Sequence, residues 1–207
     1  MKERVKICGI TRLEDALEAE RLGASAVGFI FFRNSKRYIT PDHAGEISTR
    51  LGPFIARVGV FVDEDITRVD DIAVRARLTA VQLHGSEDPG YAERLRKRGL
   101  WIIKAFRVGP DFTQDLLKAY TTDAFLLDSG DSEGTYGGTG KSFEWNRAAG
   151  CEQYGKIILA GGLSAGNVRE AVAMVKPWAV DVSSGVEVSP GIKDAQKMRS
   201  FFTALNA

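Results

Sequence analysis

At 207 residues, 44% of them hydrophobic, the chain has the length of one domain with a sizeable core. Its 28 basic and 27 acidic side chains leave a formal charge of +1, which offers no field to attract nucleic acid or an anionic membrane. No signal-like segment follows Met1-Lys2-Glu3, no apolar run is long enough to cross a bilayer, and the two cysteines, Cys8 and Cys151, lie in different units and do not read as a disulfide framework, so a reduced, cytoplasmic setting is expected.

The first apolar run begins near Val5 and ends at Cys8. Gly9 follows, then a helical stripe of Leu13, Ala16, Leu17 and Leu22, with Glu14, Glu18 and Arg21 left for solvent. The second run, Ala26 to Phe32, is apolar on both faces, as a strand of a covered parallel sheet must be. It opens into the basic loop Arg33 to Tyr38, which contains Arg37. Further runs begin near Ile55, Thr79, Trp101, Ala124, Ile157 and Ala179, each followed by a turn and a helical pattern. The last two helices are the clearest, marked by Val168, Ala171, Val172 and Val175 and by Met198, Phe201, Phe202 and Leu205. Cys151, after Gly150, reads as part of a surface helix or loop.

Eight βα units of roughly 25 residues each predict a closed barrel. An open doubly wound sheet fits less well, because no Gly-x-Gly-x-x-Gly turn follows the first strand. Nothing resembling a linker divides the chain, so residues 1–207 are expected to form one catalytic domain, a (β/α)8 or TIM barrel.

In such a barrel every strand C-terminus meets at one rim, and residues distant in sequence converge there. The rim set is Cys8, Arg37, Gln82, His84, Arg107, Asp128, Gly161-Gly162 and Ser183-Ser184-Gly185. The glycine and serine turns after strands seven and eight can turn backbone N–H groups toward an anion, the usual phosphate position of this architecture, so a phosphorylated substrate is expected. Cys8 is placed to be a reactive thiol if a nearby cation or helix start favours the thiolate. Asp128 closes Phe125-Leu126-Leu127, an apolar lead-in that suits a partly desolvated proton donor. Gln82 and His84 alternate, so both can face the interior, either as structural hydrogen-bond partners or toward a ligand. Arg37 is either a solvated charge or a clamp for a carboxylate. With His43 and His84 the only histidines, a multi-histidine metal site is excluded and no metal is expected.

Seven motifs in register now become informative together. They are Lys6-Ile7-Cys8-Gly9-Ile10-Thr11, Gly28-Phe29-Ile30-Phe31, Val81-Gln82-Leu83-His84-Gly85, Leu126-Leu127-Asp128-Ser129, Gly137-Gly138-Thr139-Gly140-Lys141, Leu159-Ala160-Gly161-Gly162-Leu163 and Asp181-Val182-Ser183-Ser184-Gly185-Val186-Glu187. In this the chain resembles the phosphoribosylanthranilate isomerases of tryptophan biosynthesis over nearly its whole length. Lys36, where the family often has proline, and Glu144, where it often has aspartate, depart from the pattern.

The resemblance implies an Amadori rearrangement of a phosphoribosyl anthranilate without metal or organic cofactor. It implies Asp128 as general acid, Cys8 as general base and Arg37 as the anthranilate carboxylate clamp. It also implies a phosphate site at Gly161, Gly162, Ser183, Ser184 and Gly185. The stretch Ser129 to Lys141, with five glycines, is expected to close over the site. The partner is a small phosphosugar, with neither nucleic acid nor membrane, and the chain is a monomer or a homodimer. Two other readings stay open here: a cofactor-free isomerase of a related aminoaldose, and a non-catalytic binding barrel.

Overall fold

The computed structural model describes residues 3–129 and 145–206. Eight parallel strands form a closed barrel in chain order: β1 (Arg4–Cys8), β2 (Ala26–Ile30), β3 (Ala56–Phe61), β4 (Ala80–Leu83), β5 (Trp101–Val108), β6 (Ala124–Ser129), β7 (Ile157–Leu159) and β8 (Ala179–Val182). Each begins within one residue of the position that the apolar runs mark. Closure comes from β1 pairing with β8, Lys6 opposite Asp181 and Ile7 opposite Val182.

Alternation along the strands explains why the hydrophobic residues fall into two separate clusters. Ile7, Phe29, Leu83, Ile102, Leu127 and Val180 point outward and join the helices in the larger core. Val58, Ala80, Ile103, Ala105, Leu126, Ile158 and Ala160 fill the barrel itself. Because Lys6, Cys8, Gln82, Asp128 and Asp181 share the parity of that inner set, they continue it upward toward the rim.

Among the described residues there are six α-helices, not eight: α1 (Leu13–Arg21), α2 (Pro41–Arg50), α3 (Ile66–Arg75), α4 (Pro89–Arg96), α5 (Val168–Val175) and α6 (Ala195–Asn206). Four have side-chain caps: Thr40 accepts from the His43 amide, Asp65 from the Thr67 and Arg68 amides, Asp88 from the Tyr91 amide, and Asp194 from the Gln196 and Lys197 amides. Among the described residues, the connections after β5 and β6 carry the 3-10 segments Gln114–Ala119, Trp145–Arg147 and Cys151–Tyr154. Gly150 and Gly155, both at positive φ, bracket the last of these and hold it to four residues. A short hairpin, β9 (Glu187–Ser189) and β10 (Ile192–Lys193), is inserted between β8 and α6.

Two local readings are corrected. The buried face of α1 is Asp15, Ala16 and Ala19, while Leu17 is exposed and Glu18 is largely covered, bonded to Arg21 and Arg199. Cys151 is no surface residue: it is fully buried in the outer core.

Candidate active site

A cleft of about 740 Å³, including its open mouth, lies at the C-terminal end of the strands. It brings together Cys8, Arg37, Gln82, His84, Asp128, Gly161, Gly162, Ser183 and Ser184. Of the rim set only Arg107 and Gly185 do not line it. Arg107 stands beside Asp128 in the β5–β6 register. Gly185 acts from behind, since a Cβ there would overlap the Leu163 carbonyl oxygen; the turns after β7 and β8 touch only because the residue is glycine. The glycine-rich stretch expected as a closing loop lies, from residue 130 onward, outside the described residues.

Cys8 ends β1 opposite Gly28 of β2. A Cβ on Gly28 would come within 2.8 Å of Cys8 Sγ and 3.1 Å of Lys6 Cε, so this glycine makes room for both side chains. Burial pushes the Cys8 thiol up, and Lys6 opposes that without overcoming it. Lys6 is thus a nearby cation that favours the anion, with burial the larger influence.

Asp128 ends the apolar run of β6 and is buried. His84 Nε2 lies 3.3 Å from its Oδ2, and His84 Nδ1 is 2.8 Å from Gln82 Nε2. With the Gln82 amide donating to Nδ1, the ring hydrogen of neutral His84 sits on Nε2, facing Asp128. Gln82 and His84 thus form a relay that orients the imidazole against the carboxylate.

Arg37 is neither solvated nor unoccupied. Glu187 accepts from its Nε at 2.9 Å and its Nη2 at 2.7 Å, and the side chain is only 13% exposed. Lys193 Nζ approaches the same carboxylate at 2.7 Å. Burial resists the charge on Glu187, but Arg37 and Lys193 outweigh it and hold the carboxyl below the usual range. The hairpin β9–β10, absent from the sequence reading, exists in this site to present Glu187 and Lys193. Lys6 and Asp181, likewise not singled out, form a buried ion pair at 2.9 Å below Cys8. Their only signal was parity: each falls on the inward face of a largely apolar strand.

At the turn after β7, Gly161 and Gly162 both adopt positive φ, +86° and +64°, which a side chain would resist. Ser183 and Ser184 stand beside them on the wall of the cleft, and the Ser183 hydroxyl is buried without a hydrogen-bond partner among the described residues.

A family model described as N-(5'-phosphoribosyl)anthranilate isomerase matches residues 5–204. The chain belongs to the phosphoribosylanthranilate isomerase family. Its relative from Geobacter sulfurreducens is 51% identical over 198 residues, 96% of each chain. The crystal structure of phosphoribosylanthranilate isomerase from Thermotoga maritima superposes with a TM-score of 0.89 at 42% identity, covering 99% of this chain and 98% of that one. A further phosphoribosylanthranilate isomerase structure, 40% identical with a TM-score of 0.85 and covering 99% and 98% of the two chains, was determined in complex with reduced 1-(o-carboxyphenylamino)-1-deoxyribulose 5-phosphate. Another, 38% identical with a TM-score of 0.84 and the same coverage, describes monomers derived from the dimeric Thermotoga maritima enzyme. The chain shares the (β/α)8 barrel of these structures.

Proposed function

We propose that Cys8 and Asp128 divide between them the proton transfers of the family's reaction. The chain is a phosphoribosylanthranilate isomerase of tryptophan biosynthesis, converting N-(5-phosphoribosyl)anthranilate to 1-(2-carboxyphenylamino)-1-deoxyribulose 5-phosphate by an Amadori rearrangement. The observation that carries the division of labour is convergence: a buried carboxyl and a buried thiol, 120 positions apart in sequence, face one cleft with an anion-suited wall beside them.

In this reading Asp128 protonates the furanose ring oxygen, and the sugar opens to an iminium. Cys8 as thiolate then takes the proton from the carbon next to it, and the released electron pair flows into the C=N bond to give an enolamine, which tautomerises to the ketone. The iminium is the electron sink for this step. His84 and Gln82 contact the sugar and hold Asp128 in position. Arg37 receives the anthranilate carboxylate on its Nη1–Nη2 edge, since Glu187 takes the Nε–Nη2 edge. Gly161, Gly162, Ser183 and Ser184 receive the phosphate, with Gly185 holding the two turns together.

Between monomer and homodimer we favour the homodimer. Phe54, 98% exposed, stands with Trp101 and Trp178 around an apolar hollow at the N-terminal mouth of the barrel, a surface suited to a second copy. We also place the protein in the cytoplasm, in keeping with its two free thiols; no described helix is long and apolar enough to cross a membrane. Purified protein mixed with freshly prepared phosphoribosylanthranilate should abolish the anthranilate-type fluorescence, and Cys8→Ala or Asp128→Asn should not. Rapid turnover by either variant would remove that residue from the mechanism.

A further inference from the structure

A lysine and an aspartate among the Val, Ile, Leu and Ala side chains inside the barrel call for a reason. Lys6 and Asp181 are each under 10% exposed, and they sit opposite one another across the seam where β1 meets β8. A buried ion pair is seldom a net gain in stability over packed apolar side chains, so its presence is weak evidence of a structural purpose. Its position is more telling. Lys6 is two residues before Cys8 on the same face of β1, and both side chains occupy the space that Gly28 leaves open.

The charges around Cys8 come from four directions. Lys6 lies on its own strand, Asp181 on β8 with Asp128 beyond it, Arg37 on the loop after β2, and Glu187 and Lys193 on the β9–β10 hairpin. Arg37 and Lys193 are both committed to Glu187, at 2.7 Å each. Lys6 is held by one oxygen of Asp181, whose other oxygen, Oδ1, is buried without a hydrogen-bond partner among the described residues. An ammonium carries three donors, so Lys6 can serve Asp181 and a sulfur anion together. Burial disfavours charge on Lys6, yet Asp181 and Cys8 opposite it reverse that and keep it an ammonium.

We propose that Lys6 and Asp181 together set the protonation state of Cys8: the Lys6 ammonium is shared between the Asp181 carboxylate and the Cys8 sulfur, stabilising the thiolate, while Asp181 draws the ammonium away and keeps the sulfur a strong base. Both are positioning residues acting through Cys8; no proton moves to either. The proposal rests on Cys8 being the general base. It makes a prediction that a purely structural pair would not: removing the two partners shifts the thiol in opposite directions.

The test uses the full chain carrying Cys151→Ser, so that Cys8 is the only thiol, and follows its alkylation by iodoacetamide against pH. Lys6→Met should move the midpoint up by about one pH unit or more, a roughly tenfold loss of thiolate at a fixed lower pH. Asp181→Asn should move it down by a smaller amount, since Lys6 acts on Cys8 more strongly than Asp181 does. With phosphoribosylanthranilate, Lys6→Met should lower kcat about tenfold at neutral pH while KM stays within about twofold. Should Lys6→Met fail to fold because Asp181 is left buried and unpaired, Lys6→Leu/Asp181→Leu removes both charges and should still raise the midpoint. Unmoved midpoints, or shifts of one sign in both single variants, would overturn the proposal. The alkylation readout is independent of turnover, so a fully active Cys8→Ala enzyme would instead overturn the assignment of the base.

Discussion

Cys8 illustrates how one side chain's chemistry is decided by competition between its neighbours. Lys6 and Lys193 favour its anion, burial and Asp181 oppose it, and burial prevails in the substrate-free protein. Iodoacetamide should therefore alkylate Cys8 more slowly near neutral pH than it does free cysteine, with the rate climbing as pH rises, because only the thiolate reacts. A rate at neutral pH above that of free cysteine would contradict the burial argument. Asp128→Asn keeps shape but cannot act as an acid; turnover should fall by several orders of magnitude with little change in the unfolding midpoint. Arg37→Ala should raise the Michaelis constant and leave competitive inhibition by inorganic phosphate nearly unchanged. Gly162→Asp should weaken phosphate inhibition instead, because a carboxylate would then stand in the anion site. Loss of phosphate inhibition in both alike would contradict separate recognition of the two ends. Cys8 and Asp128 were legible in the sequence because each ends an apolar run, and a polar residue at a strand end reports the rim by itself. The Glu187 grip on Arg37 was not, for it depends on a hairpin whose two-residue strand β10 has no periodicity to read.

Elements cooperate through contacts that span them, and Glu18 is one such contact. It leaves α1 to meet Arg21 on its own helix at 2.7 Å and Arg199 on α6 at 3.1 Å. Its hydrogen bond from Arg21, with Arg199 adding to it, lowers the Glu18 carboxyl from the ordinary 4.5 to about 2. A carboxyl depressed in the folded state stabilises the fold above its unfolded pKa, and that contribution fades as pH falls from about 4.5 toward 2. Glu18→Gln should thus cost about 0.5–1 kcal/mol in urea unfolding at pH 7, a modest figure because Arg21 and Arg199 remain exposed, and the difference from wild type should shrink at pH 3. A difference that grows on acidification would refute the sign. Strand positions were readable to within a residue because buried parallel strands are uninterrupted apolar runs, bounded sharply by turns. Helices were less so. The segment after β5 has turn, helix and return to fit between Val108 and Ala124, and only six residues of 3-10 structure result. Leu17 and Glu18 misled for a related reason: on a nine-residue helix a one-position error in phase exchanges the buried and exposed faces.

The whole molecule depends on two cores of unequal size, and the smaller one inside the barrel is what holds eight strands at fixed separation. Leu126→Ala would open a void there with few neighbours able to collapse into it, and a loss of about 2–5 kcal/mol is expected in chemical denaturation. A loss below about 1 kcal/mol would show the inner layer to be loosely packed. Barrel closure was legible from the count and even spacing of the runs, whereas the Lys6–Asp181 pairing was not, since it exists only once the circle is complete. That pairing also has a temporal side. Lys6 and Asp181 are separated by 175 positions, and at the ribosome's pace of about 5–20 residues per second the lysine waits roughly 9–35 s for its counter-ion. Throughout that interval β1 has one unpaired edge and no carboxylate to draw its ammonium into the interior, so the nascent strand is kept wet by its own charge. The last barrel strand to be translated is the one that permits the first to be buried, and the thiol chemistry of Cys8 is assembled in the same event.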